Sequence, residues 1–431
     1  MANLEHLSIL EQGISNWNQW RSLHKNITPD LKEANLQGID LQGANLNQTD
    51  LRGANFSHAD LRGADLSQAD AKGTYFIHAD LSRANLQNGD FMRSDLSEAI
   101  LTAANLIGSN FNGSDLSEAD MSKVNLSQAN LSETNLVRAN LQKANLQGVN
   151  LRSAYLSGAN LSEANLRATS LSEAYLFKAS LSGADLREAN LLRSHLCEAN
   201  LSNANCHGAY LIRADVREAN FYQADLRIAN LSSSDARKTD FREANLTRAD
   251  LRSSNISEAN FHRADLIMTD FRWSNSLMAN FSETKAQAAN FSEAILTGAS
   301  VQDWRIDSCT KFTGAICDYI YLDSQQQERY PQSGYLVISD LLKLFQSAEE
   351  YEEEIIELMF KNGINLSAFA AAFNSIETEH KNATVELLSL ESKGGGIFVT
   401  KLRTAGNTNK LKIYSDFMQS YEGDCQQNSL E

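Results

Sequence analysis

The sequence predicts a mainly β solenoid, closed at its N-terminus by helices and followed by a small α+β domain. Three observations carry that expectation. A five-residue unit runs without insertion from residue 31 to 303, the stretch before it has helical hydrophobic spacing, and the stretch from residue 324 mixes helix and strand signals. The boundaries read as a helical cap over 1–28, a repeat over 29–323 that leaves register after 303, an α+β domain over 324–423 and a disordered tail over 424–431.

The N-terminal segment lacks the repeat. Leu4, Leu7 and Leu10 recur at helical spacing up to Gly13, and Trp17, Trp20 and Leu23 do so again after Ser15, which can cap a second helix. An open solenoid end is an unpaired sheet edge that templates aggregation unless covered. Two helices laid on the first coil, with Trp17 and Trp20 against it, would cover it.

In the repeat, units such as 51-LRGAN-55, 81-LSRAN-85, 181-LSGAD-185 and 241-FREAN-245 share one plan: a large apolar residue, two variable residues, a small residue and an Asn or Asp. Stepping by five from Leu31 to Val301 gives 55 large positions, and all but nine are Leu or Phe. Period five matches neither a helix face nor a simple strand, so the chain must turn a corner every unit. The small residue and the next large one are two apart. On a short extended segment both point inward, and the Asn or Asp between them points out. The variable pair makes the corner. Ile39 is the largest residue at a small position, as expected of a narrow core.

At these residues the sequence resembles the pentapeptide-repeat family, whose pattern A(D/N)LXX is matched over 31–303. The resemblance implies a right-handed quadrilateral β-helix with four units per coil, hence about fourteen coils and, at the ~4.8 Å strand spacing, a rod of roughly 65 Å. Stability then comes from stacking coil on coil, as in other quasi-one-dimensional repeats. With its helical cap and C-terminal extension, the chain is similar to cyanobacterial-type members.

Past the repeat, Trp304 takes a small-residue position, and Phe312, Cys317 and Leu322 resume the spacing one residue out of phase, which predicts a bulged last coil. Ser347 with Glu350 reads as a capping box for a helix through Tyr351, Ile355, Leu358 and Met359 that Gly363 closes. Asn365 caps the next, with Leu366, Phe369, Phe373 and Ile376 on one side. Residues 383–392 and 397–404 flank Gly394, Gly395 and Gly396 as a hairpin. The last element, 410–423, begins as strand and ends as helix.

Composition narrows the function classes. Pro29 and Pro331 both lie outside the uninterrupted run 31–303, which fits a stack that needs its backbone N–H groups. No apolar run reaches membrane-spanning length and the first residues carry acids rather than Lys or Arg, so a cytoplasmic protein without membrane contact is expected. The five cysteines have no C-x-x-C spacing and read as free thiols. A net charge of −16 argues against direct nucleic-acid binding. The acids concentrate early: residues 31–120 carry 6 basic and 13 acidic side chains.

A search for chemistry yields no cofactor site, no metal site and no catalytic set. The three glycines lack the Lys-Ser/Thr of a phosphate loop. His58 and His78, twenty residues apart, stack as neighbours but make a poor metal site as two surface imidazoles. The carboxylates show no paired environment for acid–base work. An enzyme is not expected.

What remains is surface. With four units per coil, Val137, Tyr155, Tyr175, Phe177, His195 and Cys197 fall on one face as an apolar-aromatic stripe, the type of patch that marks a partner site. A second set, Ile267, Met268, Trp273, Leu277 and Met278, is expected to dock the C-terminal domain. The expected function is a non-enzymatic scaffold that binds a protein partner not identified by the sequence; the oligomeric state is left open, with the monomer favoured. Two alternatives stay open. One is an acidic DNA mimic, because the resemblance includes members that protect DNA gyrase; the other is a rod that targets an activity in the C-terminal domain. The resemblance also includes a member that acts in heterocyst regulation through a protein partner.

Overall fold

The computed structural model describes residues 1–337, 355–360, 363–379, 385–394, 396–404 and 410–427. The repeat forms a solenoid of twenty-residue coils. Outer residues pair in parallel with those twenty positions on, as in Asp30 with Asp50, Asn55 with Tyr75 and so up the stack.

One unit, 51–55, explains why the pattern stacks. Leu51 N–H donates to Asp70 O (2.7 Å) and Gly53 N–H to Lys72 O (3.1 Å) in the following coil. Ala54 N–H closes the corner on Leu51 O (2.9 Å), and Asn55 N–H reaches back to Ala34 O (2.9 Å). Arg52 N–H donates to the Asp50 side chain. All five backbone donors are used, as burial against neighbouring coils requires. The second corner residue adopts positive φ, at Gly53 (66°) but also at Glu98 (56°), Arg138 (57°) and Trp273 (59°). Gly enters this left-handed region without steric cost, whereas other residues there are held by the hydrogen bonds around them.

Inside, the large and small positions are buried along the stack, apart from half-buried Ile39 in the first units. Phe221, Phe241, Phe261 and Phe281 form a ladder with ring centroids 5.3, 4.8 and 5.2 Å apart. Each shares its coil with a reduced neighbour, Val216, Ala236, Ile256 or Ser276, so that core volume is conserved. Where Thr takes the small position its hydroxyl is satisfied inward at Thr74, whose Oγ1 donates to Leu51 O (2.8 Å), and at Thr134 and Thr169, but not at buried Thr49.

Both ends are closed by hydrogen bonds to edge groups. Helix α1 (Leu4–Glu11) is capped by Asn3, whose Oδ1 accepts from Glu5 N–H (2.9 Å), and α2 (Ile14–Leu23) follows. Trp17 Nε1 donates to Asn45 O (2.8 Å), Arg21 Nη2 to Asn47 O (2.6 Å) and Asn18 Nδ2 to Gly43 O (3.0 Å). Asn3 N–H takes Asp30 O, and His6 Nδ1 accepts from Asp30 N–H (3.0 Å). These are the groups a preceding coil would have paired. Two sequence expectations change here. Gly13, not Ser15, occupies the N-cap of α2, and Leu4 and Leu23 are exposed because Trp17 and Arg21 make the buried contacts.

At the other end the pairing offset is still twenty at Lys285 with Arg305 and becomes twenty-one at Asn290 with Lys311, so the slip falls after Arg305 rather than directly after Asp303. Strand β1 (Ala299–Ser300) pairs in parallel with β2 (Ile320–Tyr321), and β3 (Arg329–Tyr330) then adds in antiparallel sense. That reversal ends the parallel stack.

The C-terminal region contains β4 (Ile355–Phe360), α3 (Leu366–Glu379), β5 (Val385–Gly394), β6 (Ile397–Thr404) and α4 (Lys410–Gln427). The strands form an antiparallel sheet in the order β4-β6-β5. Leu358, Phe360, Ile376, Leu402, Ile413 and Phe417 make a core separate from that of the solenoid. Asn365 caps α3, its Oδ1 accepting from Ser367 and Ala368 N–H (3.0 and 3.1 Å). Three expectations are corrected. Residues 355–360 form a strand, with Ile356, Leu358 and Phe360 buried and Glu357 and Met359 exposed; Ser347, Glu350 and Tyr351 lie outside the described residues. Residues 410–427 are helical throughout, because Ile413, Phe417 and Tyr421 at four-residue spacing all face this core. Helix therefore also covers 424–427 of the expected disordered tail.

Candidate functional site

Outside the core, the solenoid surface is built from outer residues and corner residues. The outer Asn or Asp turns its Oδ1 onto the N–H two residues on, as Asp65 does with Ser67 (3.0 Å), which fixes the corner. Where the residue is Asn, the amide also donates down the column: Asn145 Nδ2 to Asn125 Oδ1 and Asn165 Nδ2 to Asn145 Oδ1, both 3.0 Å. Where it is Asp followed by Arg, a two-point ion pair forms, as at Asp185–Arg187 and Asp215–Arg217. Those hydrogen bonds hold Asp185 and Asp215 below the ordinary carboxylate range. They also establish that an outer residue and the first corner residue after it lie side by side on one face.

The aromatic replacements concentrate on one column. Tyr155 pairs with Tyr175, and Tyr175 with His195, in successive coils. The rings stack, with centroids 5.1 and 4.8 Å apart and planes within 8°. Tyr155 is 49% exposed, Tyr175 41% and Phe177 42%, and His195 is exposed as well. Val137 and Cys197 are half-buried beside them at the same corner. Lys178 Nζ lies 4.8 Å from the Phe177 ring centroid. Burial, with Asp215 next, pushes the Cys197 thiol above its ordinary pKa, which keeps it protonated and apolar in character. The arrangement is a ladder of ring edges with two phenol hydroxyls and an imidazole.

The second expected site is placed differently. Met268, Trp273 and Leu277 are exposed, so the described C-terminal residues do not cover them as docking requires; Ile267 and Met278 are half-buried. Two contacts link the expected domain to the rest: Gln326 Nε2 donates to Met278 O (3.3 Å), which reaches one member of this set, and the Tyr330 and Tyr414 hydroxyls are 3.4 Å apart. The physical reason is geometric: Ile267, Trp273 and Leu277 follow successive large residues and so occupy three different corners of one coil, which a single docked surface cannot cover. Trp273 leads into Asn275 and Leu277 leaves it, and that column is the one holding Tyr155 and Tyr175. Ile295 and exposed Ile316 continue it. Tyr75 and Ile77 stand on the same face near the other end. Sequence reasoning left Ile295 and Ile316 out, although the same twenty-residue step reaches them once the slip is counted.

Acidic residues of the first third do not gather on one face. Asp30, Asp50, Asp70 and Asp90 form a column, but Lys32, Arg52 and Lys72 bridge its members in turn, for example Lys72 Nζ to Asp70 (3.0 Å) and Asp90 (2.8 Å). Asp95, Glu98, Asp115 and Glu118 lie around another corner. His58 and His78 stack at 5.0 Å, and His78 Nδ1 is 3.5 Å from Glu98. Among the described residues there is no group of three or more His, Cys, Asp and Glu side chains able to hold a metal ion, and no helix is long and apolar enough to cross a membrane.

The match to a family model agrees with this repeat. The family model for pentapeptide repeats matches residues 30–97, 99–275 and 279–306, more than half of the chain. Among solved structures, the chain is similar to HetL, a pentapeptide repeat protein involved in heterocyst differentiation regulation from the cyanobacterium Nostoc sp. strain PCC 7120. The identity is 32% over 58% of this chain and 96% of that one, with a TM-score of 0.26. It is also similar to Rfr23 from the cyanobacterium Cyanothece 51142, at 24% identity over 32% of this chain and 60% of that one, with a TM-score of 0.15. QnrB1, a plasmid-mediated fluoroquinolone resistance protein, aligns at 17% identity over 50% of this chain and 89% of that one, with a TM-score of 0.22. No curated protein matches.

Proposed function

The chain belongs to the pentapeptide-repeat family, and from that premise we propose that it is a non-enzymatic cytoplasmic scaffold. In this reading its solenoid is a right-handed quadrilateral β-helix that acts through the face bearing Tyr155, Tyr175 and His195. The observation that carries it is the stacked, half-exposed ladder itself, with Phe177 beside it. Aromatic side chains held rigid before binding lose little conformational entropy on contact and commonly dominate interface energy.

This reading is preferred to mimicry of duplex DNA because mimicry needs one uninterrupted acidic face. Here the Asp30–Asp90 column alternates with Lys32, Arg52 and Lys72. The test is a capture experiment with the full chain and a Tyr175→Asn/Phe177→Ser variant. Asn and Ser are residues that the repeat uses at these positions elsewhere, so the variant should melt like the parent while losing its bound proteins. Equal recovery of all bound proteins by a well-folded variant would reject the aromatic face as the site.

A further inference from the structure

The aromatic face has an order along its length that its middle alone does not explain. Toward the N-terminus come Tyr75 and Ile77, then the acids Asp115 and Glu118; toward the C-terminus come Arg237 and Lys238, then Leu277 and Trp273. We propose that this face binds a second copy of the chain, antiparallel, about a two-fold axis through Tyr175. The inference rests on reading the aromatic face as a binding surface and names what binds it; it assigns an oligomeric state that the sequence left open.

A two-fold axis lying in the interface and perpendicular to the stack sets each column against the same column of the other copy, in reversed order. Tyr175 then meets Tyr175, and Tyr155 meets His195. At the corner leaving the face, Glu118 meets Lys238 and Arg138 meets Glu218. At the corner leading into it, Glu133 meets Arg213. All six of these side chains are exposed. Each of the three pairs has opposite charge, and the two-fold axis makes every pair occur twice. Farther out, Ile77 meets Leu277, and Trp273 comes over Gly73, where an added Cβ would find nothing within 4 Å. The like-charged encounters fall on groups with partners in their own chain: Asp235 facing Asp115 is paired with Arg237 (2.7 Å), Lys178 facing itself with Glu198 (3.3 Å), Glu173 facing itself with Arg152 (3.3 Å), and Glu258 facing Glu98 with Lys238 (3.9 Å).

Periodicity favours the same occupant. The rings repeat at 4.8–5.1 Å, and a second stack of the same rise stays in step over the whole face, which an unrelated globular surface does not. Ten coils of twenty residues separate Tyr75 from Asn275. At ~4.8 Å per coil and a side about 10 Å wide, the two copies together would bury roughly 1,000 Å², the lower end of specific interfaces. A reversible, concentration-dependent dimer follows.

The experiment is sedimentation velocity with light scattering on the full chain over a dilution series. The parent should reach twice its 47.7 kDa mass and fall to monomer on dilution. Lys238→Glu, which sets Glu against Glu twice, should abolish the dimer while lowering the thermal melt only slightly, since the pair with Glu258 that it removes is exposed, and Glu118→Lys added to Lys238→Glu should restore the dimer. A parent that stays monomeric throughout overturns the proposal, as does a dimer indifferent to Lys238→Glu or one that the double variant fails to restore. None of these outcomes touches the capture experiment, which reads foreign proteins, so the homodimer can fail while the aromatic face stands.

Discussion

The solenoid and the C-terminal region bury their apolar residues by opposite rules. In the solenoid, a large side chain touches its counterparts one coil up and one coil down, so Phe241 lies between Phe221 and Phe261 and the core is a line. In the C-terminal region, Phe417 on α4 meets Phe369 on α3 and Tyr421 on its own helix, over a sheet whose central strand is β6, and the core is a point. The first arrangement spreads a loss over neighbouring coils. The second concentrates it, because a few residues hold every element.

The sharpest way to break that contrast is one substitution in each core. Phe241→Ala and Phe417→Ala should each cost about 3–5 kcal/mol if the cavities cannot collapse. The expected outcomes differ in kind. Calorimetry should show the solenoid transition lowered but present for Phe241→Ala, whereas Phe417→Ala should remove the C-terminal transition and leave the solenoid's in place. A single merged transition displaced equally by both would mean that the two regions unfold as one.

A smaller effect compares one side-chain type in two settings. Asn145 accepts from Gln147 N–H and Asn165 and donates to Asn125, whereas Asn365 accepts from two N–H groups at the start of α3. Asn365→Ala should cost about 1 kcal/mol as a lost helix cap. Asn145→Ala should cost about 1–2 kcal/mol, since it breaks the column on both sides. Urea titrations of the two variants measure the difference, and equal costs would deny the columns any stabilising role.

The smallest effect is acid sensitivity. Hydrogen bonds from Arg62, Arg187 and Arg217 hold Asp60, Asp185 and Asp215 below their ordinary range in the folded state. For a depressed carboxylate the contribution is full above the unfolded pKa of about 3.9 and is lost as pH falls through the folded value. The solenoid should therefore weaken only below about pH 4. Asp185→Asn should flatten that decline slightly in melts taken between acid and neutral pH.

These contrasts also explain what was readable in advance. The five-residue unit specifies itself redundantly, so once the family resemblance supplies four units per coil, the buried ladder from Phe221 to Phe281 and the shared column of Tyr155, Tyr175 and His195 follow from counting. The C-terminal region offered no such redundancy. Tyr351, Ile355, Leu358 and Met359 fit a helix as well as a strand, and only pairing of β4 with β6 through Leu358 and Thr400 decides it. In 410–427 the Lys-Leu-Lys-Ile alternation suggested a strand, but Ile413, Phe417 and Tyr421 needed a partner surface to show which period governs. At the candidate site the error had another origin. Trp273 and Leu277 were grouped by closeness in sequence, whereas in a coil neighbours along the chain stand on different corners and neighbours in space are twenty residues apart.

That last property bears on how such a chain can change by inheritance. An in-frame duplication or deletion of one whole twenty-residue coil leaves every column intact and alters only the rod's length. Gain or loss of a single unit keeps the core pattern perfect yet rotates everything after it by one side. Such an event between Phe177 and Val216, ahead of the Phe ladder, would fold well and still carry Trp273, Leu277 and Ile295 off the side that Tyr175 occupies. Selection acting on folding alone would not see it, whereas selection acting on the aromatic face would, so unit number between those two points is a heritable marker of whether that face is used.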